Sequence, residues 1–385
     1  MKKDIIIFGA GKLGQRALQK YGERVDYFID NNRKLQNSKV DGIAVTSVEK
    51  GVEDISDHTI VIAGRYQEIM AEQLKELGVE KYLFYLGNPS GYYYTEELVL
   101  NPYLKDIYRD VSETEWNRLN QESGKIQVVN DMVEKYQGRE IMFDHVEIET
   151  VNRCNGSCDF CPVSKRNDIR EYAVMKDELF ESIILQLAEI NYAGRLALFS
   201  NNEPFLDPDI LKRHKYAREK LPKARMHLFT NGTLLTIDRF KELILYLDEL
   251  IIDNYQQDLK LIKPCQEIVS YCEEHPELNS KVTIVLRKPK EILSSRGGSA
   301  PNRKDIISYK KDRCVLPYKQ LIIRPDGKVS LCCSDALGQN TLGDLTKDSI
   351  MEVWDGQEFK AVRRALYEGR ENWKYCQYCD FFSIG

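Results

Sequence analysis

The sequence lacks any apolar run long enough to cross a membrane. Nowhere in its 385 residues do the about 18 consecutive apolar residues of a spanning helix occur. A secretory signal would lead from the basic start into a small-residue cleavage site, whereas here the short run IIIF enters a glycine-rich turn. We therefore expect a cytoplasmic protein that has no membrane partner.

An excess of positive charge, internal repeats and low-complexity tracts are also missing. The formal net charge is −5, so nothing predicts nucleic acid as a partner. The length fits two or three domains, and the 42% hydrophobic and 30% charged residues are ordinary for a globular protein. Cysteine is abundant instead, and ten cysteines without a secretion signal predict metal ligation rather than a disulfide framework.

Residues 1–90 have the pattern of a small Rossmann-like α/β domain. Gly9, Gly11 and Gly14 follow the first strand in G-x-G-x-x-G spacing, and Asp30 ends the second strand. In dinucleotide-binding domains such glycines form the turn, the helix N-terminus binds a pyrophosphate, and the acid binds a ribose hydroxyl. This predicts a nucleotide or nucleotide-sugar ligand. The alternative is a docking module whose glycines serve packing.

Beyond a predicted helical connector at 91–142, strands and helices alternate regularly. The predicted strands are 145–151, 195–200, 225–230, 249–253 and 281–287. The predicted helices are 176–191, 209–220, 236–247 and 257–275. This spacing predicts an α/β fold with a parallel sheet over 143–305, either open or curled into a partial (β/α)6 TIM-like barrel. Functional residues should then lie at the carboxyl ends of the strands.

Three cysteines follow the first of these strands on one short loop. Cys154, Cys158 and Cys161 have C-x3-C-x2-C spacing. Three thiolates can hold three irons of a [4Fe–4S] cluster and leave the fourth iron open to a chelating substrate. The alternative is a zinc site that borrows a remote ligand.

At these residues the chain resembles the radical S-adenosylmethionine (SAM) superfamily. The resemblance implies that Phe160 packs near the adenine of SAM, and that Glu203, in the segment Asn201-Asn202-Glu203-Pro204, accepts hydrogen bonds from the SAM ammonium. Asparagines replace the two glycines that the family has in this segment. Asn202 of the same segment is expected to contact SAM as well. Further contacts are expected from Asn231, from Asp253 at the ribose and from Arg287 at the carboxylate, each of which could equally be a strand-end cap or part of a solvated loop.

A second cysteine set predicts an auxiliary cluster in residues 306–385. Twelve residues separate Cys314 from Gly327 and four separate Gly327 from Cys332, and the segment LIIRPDGKVSL is predicted to form a β-hairpin. Cys376 and Cys379 complete four thiolates. This region resembles the shortened, one-cluster form (twitch) of the SPASM domain of radical SAM enzymes. A zinc ribbon is the alternative, and Cys333 could replace Cys332. Cys265 and Cys272 are expected to be packing thiols.

The resemblance implies an oxidoreductase that cleaves SAM reductively and abstracts hydrogen from a sugar, cyclitol or nucleotide sugar. The chain is similar to dehydrogenases that oxidise a cyclitol hydroxyl, and in those enzymes an arginine placed like Arg296 faces the small-molecule substrate. Two [4Fe–4S] clusters, SAM and a flavodoxin- or ferredoxin-type electron donor are thereby expected. Two other functions stay open: a ribosomal-peptide maturase, and a non-catalytic iron–sulfur or zinc protein that binds a nucleotide.

Overall fold

The computed structural model describes most of the chain, and the contacts divide it into two compact units. The described residues are 2–53, 55, 57–64, 67–79, 81–86, 99–100, 109–111, 122–137, 143–291, 293–303 and 309–381. One unit comprises Met1–Tyr93 and Pro102–Gln127, and the other comprises Tyr94–Asn101 and Val128–Gly385. No helix among the described residues has the length and apolar character needed to cross a bilayer.

The first unit is built on a seven-stranded sheet. Its strands are β1 (Ile5–Phe8), β2 (Val25–Ile29), β3 (Lys39–Val40), β4 (Ile43–Thr46), β5 (Thr59–Ile62), β6 (Tyr82–Leu86) and β8 (Arg109–Val111). Their order is β3-β4-β2-β1-β5-β6-β8, with antiparallel pairing only at the two edges. The central strands are apolar on both faces because helices cover both sides, as in other parallel sheets. The described helices are α1 (Lys12–Tyr21), α2 (Val48–Gly51) and α3 (Gln67–Glu76).

The predicted connector is only partly helical. Helix α4 (Glu122–Tyr136) agrees with the prediction, whereas β7 (Val99–Leu100) is an edge strand of the second unit's sheet and β8 is an edge strand of the first unit's sheet. The remaining residues of 91–142 are mostly outside the described residues. The predicted domain boundaries at 90, 142 and 305 therefore stay predictions.

The second unit contains a nine-stranded sheet, and its parallel part confirms the predicted α/β class. The strands are β9 (His145–Ile148), β10 (Arg195–Ala197), β11 (Arg225–Thr230), β12 (Glu249–Tyr255), β13 (Val282–Arg287), β14 (Gln320–Ile323), β15 (Lys328–Ser330) and β16 (Thr341–Asp344), with β7 at one edge. Strands β14, β9, β10, β11, β12, β13 and β7 pair in parallel in this order. The helices are α5 (Asp177–Glu189), α6 (Ile210–Lys220), α7 (Ile237–Leu243), α8 (Lys263–Glu274), α9 (Leu316–Lys319), α10 (Ile350–Trp354) and α11 (Gln357–Glu368).

The two faces of this sheet differ in chemistry because side chains alternate along each strand. Val146, Leu196, Leu228 and Leu250 belong to the fully buried core beneath the helices. The residues that point to the opposite face of the sheet include five buried polar ones, and we call this face the polar face. They are Glu147, His227, Asp253, Thr283 and Gln320. Polar groups buried in this way are expected where a ligand binds rather than where only packing matters.

The C-terminal hairpin extends the same sheet. Strands β14 and β15 pair antiparallel around Pro325-Asp326-Gly327, as the sequence predicts, but β14 also pairs in parallel with β9. The second cysteine set is therefore attached directly to the strand that precedes the first. The following residues form two helices, because the chain leaves helical geometry at Gly356.

Candidate active site

The three cysteines after β9 lie together around a glycine. The amide of Gly156 donates to Cys154 Sγ at 3.3 Å. A Cβ at Gly156 would lie 3.3 Å from Cys154 Sγ and 4.0 Å from Cys158 Sγ, so a side chain there would crowd the sulfur atoms. The charge of Cys161 raises the pKa of both Cys154 and Cys158, and the charge of Cys154 also raises the pKa of Cys158, which places all three sulfurs within electrostatic reach.

Burial makes Cys154 and Cys158 reluctant to ionise without a metal. It raises the pKa of Cys154 and of Cys158 to about 12, and the neighbouring sulfurs add to the effect. Iron bound to a thiol replaces its proton outright. The cluster of buried, mutually repelling sulfurs is therefore suited to a cationic metal cluster, and it has no evident packing function.

Glu203 connects the loop after β10 to the end of β11. Its carboxylate accepts hydrogen bonds from Thr230 Oγ1 at 2.7 Å, from the Asn231 amide at 2.8 Å and from the Phe205 amide at 3.2 Å. Burial nevertheless raises its pKa to about 7. Its charge also raises the pKa of Cys154, so the predicted ammonium acceptor lies close to the first cysteine.

Two further predicted SAM contacts have buried atoms that lack partners. Asn202 Oδ1 accepts from the Ser200 amide at 2.9 Å, but Asn202 Nδ2 has no hydrogen-bond partner among the described residues. The same holds for Asp253 Oδ1, whose carboxyl has its pKa raised to about 6 by burial. Buried polar atoms are normally hydrogen-bonded. These two atoms, the acidic groups and the thiols fit a bound cation that also carries polar groups, as SAM does.

The other predicted SAM contacts have protein partners of their own. Phe160 is buried, with its ring centre 5.7 Å from that of Tyr255. Asn231 Nδ2 donates to Asn155 Oδ1 at 2.8 Å and lies 4.0 Å from Cys154 Sγ. Arg287, expected at the SAM carboxylate, is instead paired with Glu291, four residues further along. The contact of Arg287 with SAM stays a prediction.

Glu147 on the polar face was not predicted as a site residue. Its Oε2 accepts from Ser200 Oγ at 2.6 Å, and His145 Nε2 lies 3.5 Å from its Oε1. Burial raises the pKa of Glu147 to about 7, while burial lowers that of His145 to about 3. A sequence signal existed, since the alternation His-Val-Glu-Ile-Glu puts charged residues inside a strand that is otherwise buried.

Arg296 lies where β15 and the loop after β10 meet. Its guanidinium donates to Asn201 Oδ1 at 3.1 Å and to the Cys333 carbonyl at 3.2 Å. The backbone φ of Arg296 is +48°, and Gly297 and Gly298 follow at +62° and +88°. Such a run is unfavourable for arginine. Tyr375 holds it in place, because its hydroxyl donates to the Arg296 carbonyl at 3.0 Å.

The four predicted auxiliary ligands line one cavity. Cys314, Cys332, Cys376 and Cys379 surround it, together with apolar side chains and Arg370. Burial raises the pKa of Cys332, Cys376 and Cys379, and other cysteines of the set raise it further. No three His, Cys, Asp or Glu side chains among the described residues are grouped to hold one metal ion, as zinc at about 2.3 Å from each sulfur would require. Four cysteines that line one cavity are the ligand set that an iron–sulfur cluster uses.

Cys333 points elsewhere. It is absent from the cavity lining, and Glu147 and Arg296 both influence its pKa, which burial raises to about 12. It therefore faces the polar face of the sheet, which supports Cys332 as the ligand. Cys265 and Cys272 are fully buried in the helical core.

Arg370 is a second functional residue that sequence reasoning missed, and nothing in its local sequence indicates it. It is 1% exposed, and its guanidinium donates to the carbonyls of Cys379 at 2.8 Å and Phe381 at 2.9 Å. Its charge lowers the pKa of Cys376 and Cys379, against the effect of burial. It thus offsets part of the negative charge that four thiolates would bring into the cavity.

In the first unit the predicted nucleotide residues support both of their interpretations. Gly9 has φ +109°, and a Cβ at Gly14 would lie 1.8 Å from the Gly9 carbonyl oxygen, so these two glycines are required by packing. Gly11 has open space around it, as a bound pyrophosphate would need. Asp30 Oδ2 accepts from the Ala10 amide at 2.6 Å and thereby holds the turn. The ligand of this unit stays a prediction.

Comparison with known proteins identifies two domains in the second unit. Residues 148–264 match the radical SAM superfamily, and residues 314–380 match the SPASM iron–sulfur cluster-binding domain. The chain is 25% identical over 247 residues to the S-adenosyl-L-methionine-dependent 2-deoxy-scyllo-inosamine dehydrogenase of Niallia circulans. The matched region covers 63% of this chain and 95% of that protein. It is also similar to the crystal structure of BtrN in complex with AdoMet and 2-DOIA, with 24% identity, 64% and 96% coverage and a TM-score of 0.56.

These matches agree with the site. SAM and a [4Fe–4S] cluster belong to the first domain and auxiliary iron–sulfur binding to the second, so the predicted cofactors are confirmed. The similarity to BtrN supports the α/β fold. The chain therefore contains a radical SAM domain over residues 148–264 and a SPASM iron–sulfur cluster-binding domain over residues 314–380.

Proposed function

We propose that this protein oxidises a hydroxyl-bearing carbon of a carbohydrate-type substrate, namely a sugar, a cyclitol or a nucleotide sugar. The observation that carries the proposal is a line of hydrogen bonds from Cys333, next to an auxiliary cysteine, through Arg296 and Asn201 to Ser200 and Glu147. These groups are donors and acceptors of the kind that recognise hydroxyls. The 2-deoxy-scyllo-inosamine dehydrogenase relative supports the same activity class.

When bound, the two clusters and SAM would supply the radical and electron chemistry, namely abstraction of a hydrogen atom from a substrate carbon and acceptance of one electron. Cys154, Cys158 and Cys161 would hold the first cluster, and Cys314, Cys332, Cys376 and Cys379 the second. The protein must also remove the hydroxyl proton of the substrate.

Glu147 is suited to accept that proton at Oε1 or Oε2. Its pKa, raised by burial to about 7, leaves a substantial fraction as carboxylate at neutral pH and keeps it basic enough to take a proton. Arg296 would orient a substrate oxygen through its guanidinium, because a backbone in the left-handed region and three hydrogen bonds hold it in one position.

Three finer features belong to the same proposal. The parallel strands from β14 to β13 would curl into the predicted partial barrel, which would enclose the polar face. A flavodoxin- or ferredoxin-type protein would donate the electron. All ten cysteines are free of disulfides, which is consistent with the predicted cytoplasmic location.

The test is anaerobic reconstitution, iron counting and incubation with SAM and substrates deuterated at each carbinol carbon. We would use 2-deoxy-scyllo-inosamine, myo-inositol and UDP-glucose as probes. We expect deuterium in 5′-deoxyadenosine with one of them, and one ketone per 5′-deoxyadenosine. Arg296→Gln should raise the KM for that probe, whereas the rate of SAM cleavage without substrate should not change.

Two results would contradict the proposal. Deuterium transfer from none of the carbohydrate probes, in protein that cleaves SAM, would exclude this substrate class. Equal KM values for the wild type and Arg296→Gln would show that the line of hydrogen bonds does not contact the substrate.

A further inference from the structure

Exposed apolar side chains are concentrated beside the first cysteine loop. Seven large apolar side chains among the described residues are exposed, and three of them lie within six residues of each other. They are Ile169, Tyr172 and Val174, which are 81%, 60% and 39% exposed. Single exposed apolar residues are normal, whereas a local group of them marks an interaction surface.

The segment that carries these residues is anchored. Arg170 donates to Glu149 Oε1 at 2.9 Å, to Asp168 Oδ2 at 2.9 Å and to the Asn201 carbonyl at 2.9 Å. Asp168 and Arg170 therefore hold the backbone on both sides of Ile169. Because the ion pairs of its two neighbours point into the protein, Ile169 is exposed on a backbone that is fixed in place.

The same segment is attached to the cysteine loop. The Lys165 amide donates to the Gly156 carbonyl at 2.9 Å, and Asn167 Nδ2 donates to the Cys161 carbonyl at 3.2 Å. The guanidinium of Arg153, the neighbour of Cys154, lies 5.5 Å from the centre of the Tyr172 ring. An electron that arrives at this surface is thus separated from the cysteines by directly contacting groups.

Basic residues surround the exposed apolar ones. Lys165 and Arg166 are exposed, and the Asp159 amide bonds to the Pro289 carbonyl, which brings exposed Lys290 to the same loop. The acidic groups here are Glu171 and Asp159, and the latter pairs with Arg166 at 3.7 Å. This local positive balance contrasts with the net charge of −5 for the whole chain.

We propose that Lys165, Arg166, Ile169, Tyr172 and Lys290, which we call the donor face, dock an acidic one-electron donor protein. The donor is oxidised by one electron, and the cluster of the three-cysteine loop is reduced by one. A positive rim steers an acidic partner, and the apolar centre supplies contact area. The inference depends on the reductive step of the radical SAM domain, and it does not depend on which substrate is used.

The test compares two reductants on the reconstituted holoenzyme, without substrate. Reduced flavodoxin serves as the acidic donor protein and dithionite as the small donor, with cluster bleaching and 5′-deoxyadenosine as readouts. Lys165→Glu and Ile169→Ser are the test variants. Lys223→Glu and Leu245→Ser are matched controls, since both residues are exposed. They precede the parallel strands β11 and β12, whereas the cysteine loop follows β9, so they lie at the opposite edge of the sheet.

We expect flavodoxin-driven reduction to fall about tenfold in Lys165→Glu, together with a weaker salt dependence, because removing a rim charge acts on association. Ile169→Ser should raise the Kd for flavodoxin, measured by calorimetry, about tenfold. Dithionite-driven reduction and the iron content should stay within twofold of the wild type in every variant, and both controls should behave as the wild type.

Unchanged flavodoxin-driven reduction in both test variants would overturn the proposal. So would an equal loss with dithionite, because it would assign the surface to the SAM site itself. A failure of the proposed function is distinguishable, since flavodoxin would then reduce the cluster normally while no carbohydrate probe transferred deuterium.

Discussion

Replacing Glu147 with glutamine tests whether a buried, ionisable carboxyl lies on the polar face. The folded protein holds the pKa of Glu147 near 7, against 4.5 ordinarily, and burial is the main cause. Between these two values the folded state keeps a proton that the unfolded chain has released. Stability therefore falls as pH rises through this range, and the loss is complete above about pH 7.

The magnitude follows from the same pKa difference. Glutamine does not titrate, so Glu147→Gln removes a penalty of about 1 kcal/mol at pH 5.5 and about 3 kcal/mol at pH 8.5. The variant should thus be more stable, and its advantage should grow by about 2 kcal/mol between these pH values. For a unit of this size we expect the increase in Tm to grow by about 4 °C.

The assay is anaerobic thermal unfolding of the reconstituted protein at both pH values, with tryptophan fluorescence as the readout. Glu189→Gln, at the exposed end of α5, is the control and should change neither curve. Other raised carboxyls such as Glu203 titrate in both proteins and cancel in the comparison. A Tm difference that is the same at pH 5.5 and pH 8.5 would refute the reasoning. Product formation should fall in the same variant while SAM cleavage persists.

Three further predictions concern the second cysteine set and the first unit. Cys332→Ala should lose about half of the bound iron, whereas Cys333→Ala should retain it, and iron analysis after reconstitution decides between them. Arg370→Met should increase the rate at which the auxiliary cluster is lost about tenfold, because charge-assisted hydrogen bonds to two carbonyls are removed. The loss is measured by absorbance, and an unchanged rate would assign Arg370 a packing role only. Gly14→Ala should destabilise the first unit, because its Cβ would meet a carbonyl oxygen at 1.8 Å, whereas Gly11→Ala should leave the unit folded; equal protease resistance of the two variants would contradict this.

Much of the fold was predictable because its signals are local. Apolar strands such as β11 and β13 and amphipathic helices such as α5 are visible as periodic patterns, and the strands lie within two or three residues of their predicted positions. The attachment of β14 to β9 was not predictable, since it joins residues 175 positions apart and no local pattern specifies the pairing.

Some residues of the candidate site were likewise predictable from local sequence, whereas others were not. The spacing of Cys154, Cys158 and Cys161 on one short loop already limits how far apart their sulfurs can be. In contrast, the pairing of Arg287 with Glu291 was not predicted, because a charged side chain takes whichever partner the fold brings near, and the contact of Arg287 with SAM stays a prediction. Arg370 is comparable, since only tertiary structure buries it under two cysteine segments.

The amino-acid sequence by itself determined the chemistry of the two metal sites, because thiol number and spacing are properties of short segments. The tertiary structure decided which groups lie between those sites. Arg296, Asn201, Ser200 and Glu147 come from three separate segments, and a parallel sheet brings them together through hydrogen bonds whose partners are up to 95 residues apart. Contacts of this kind depend on packing of the whole unit, so they are absent from any local pattern.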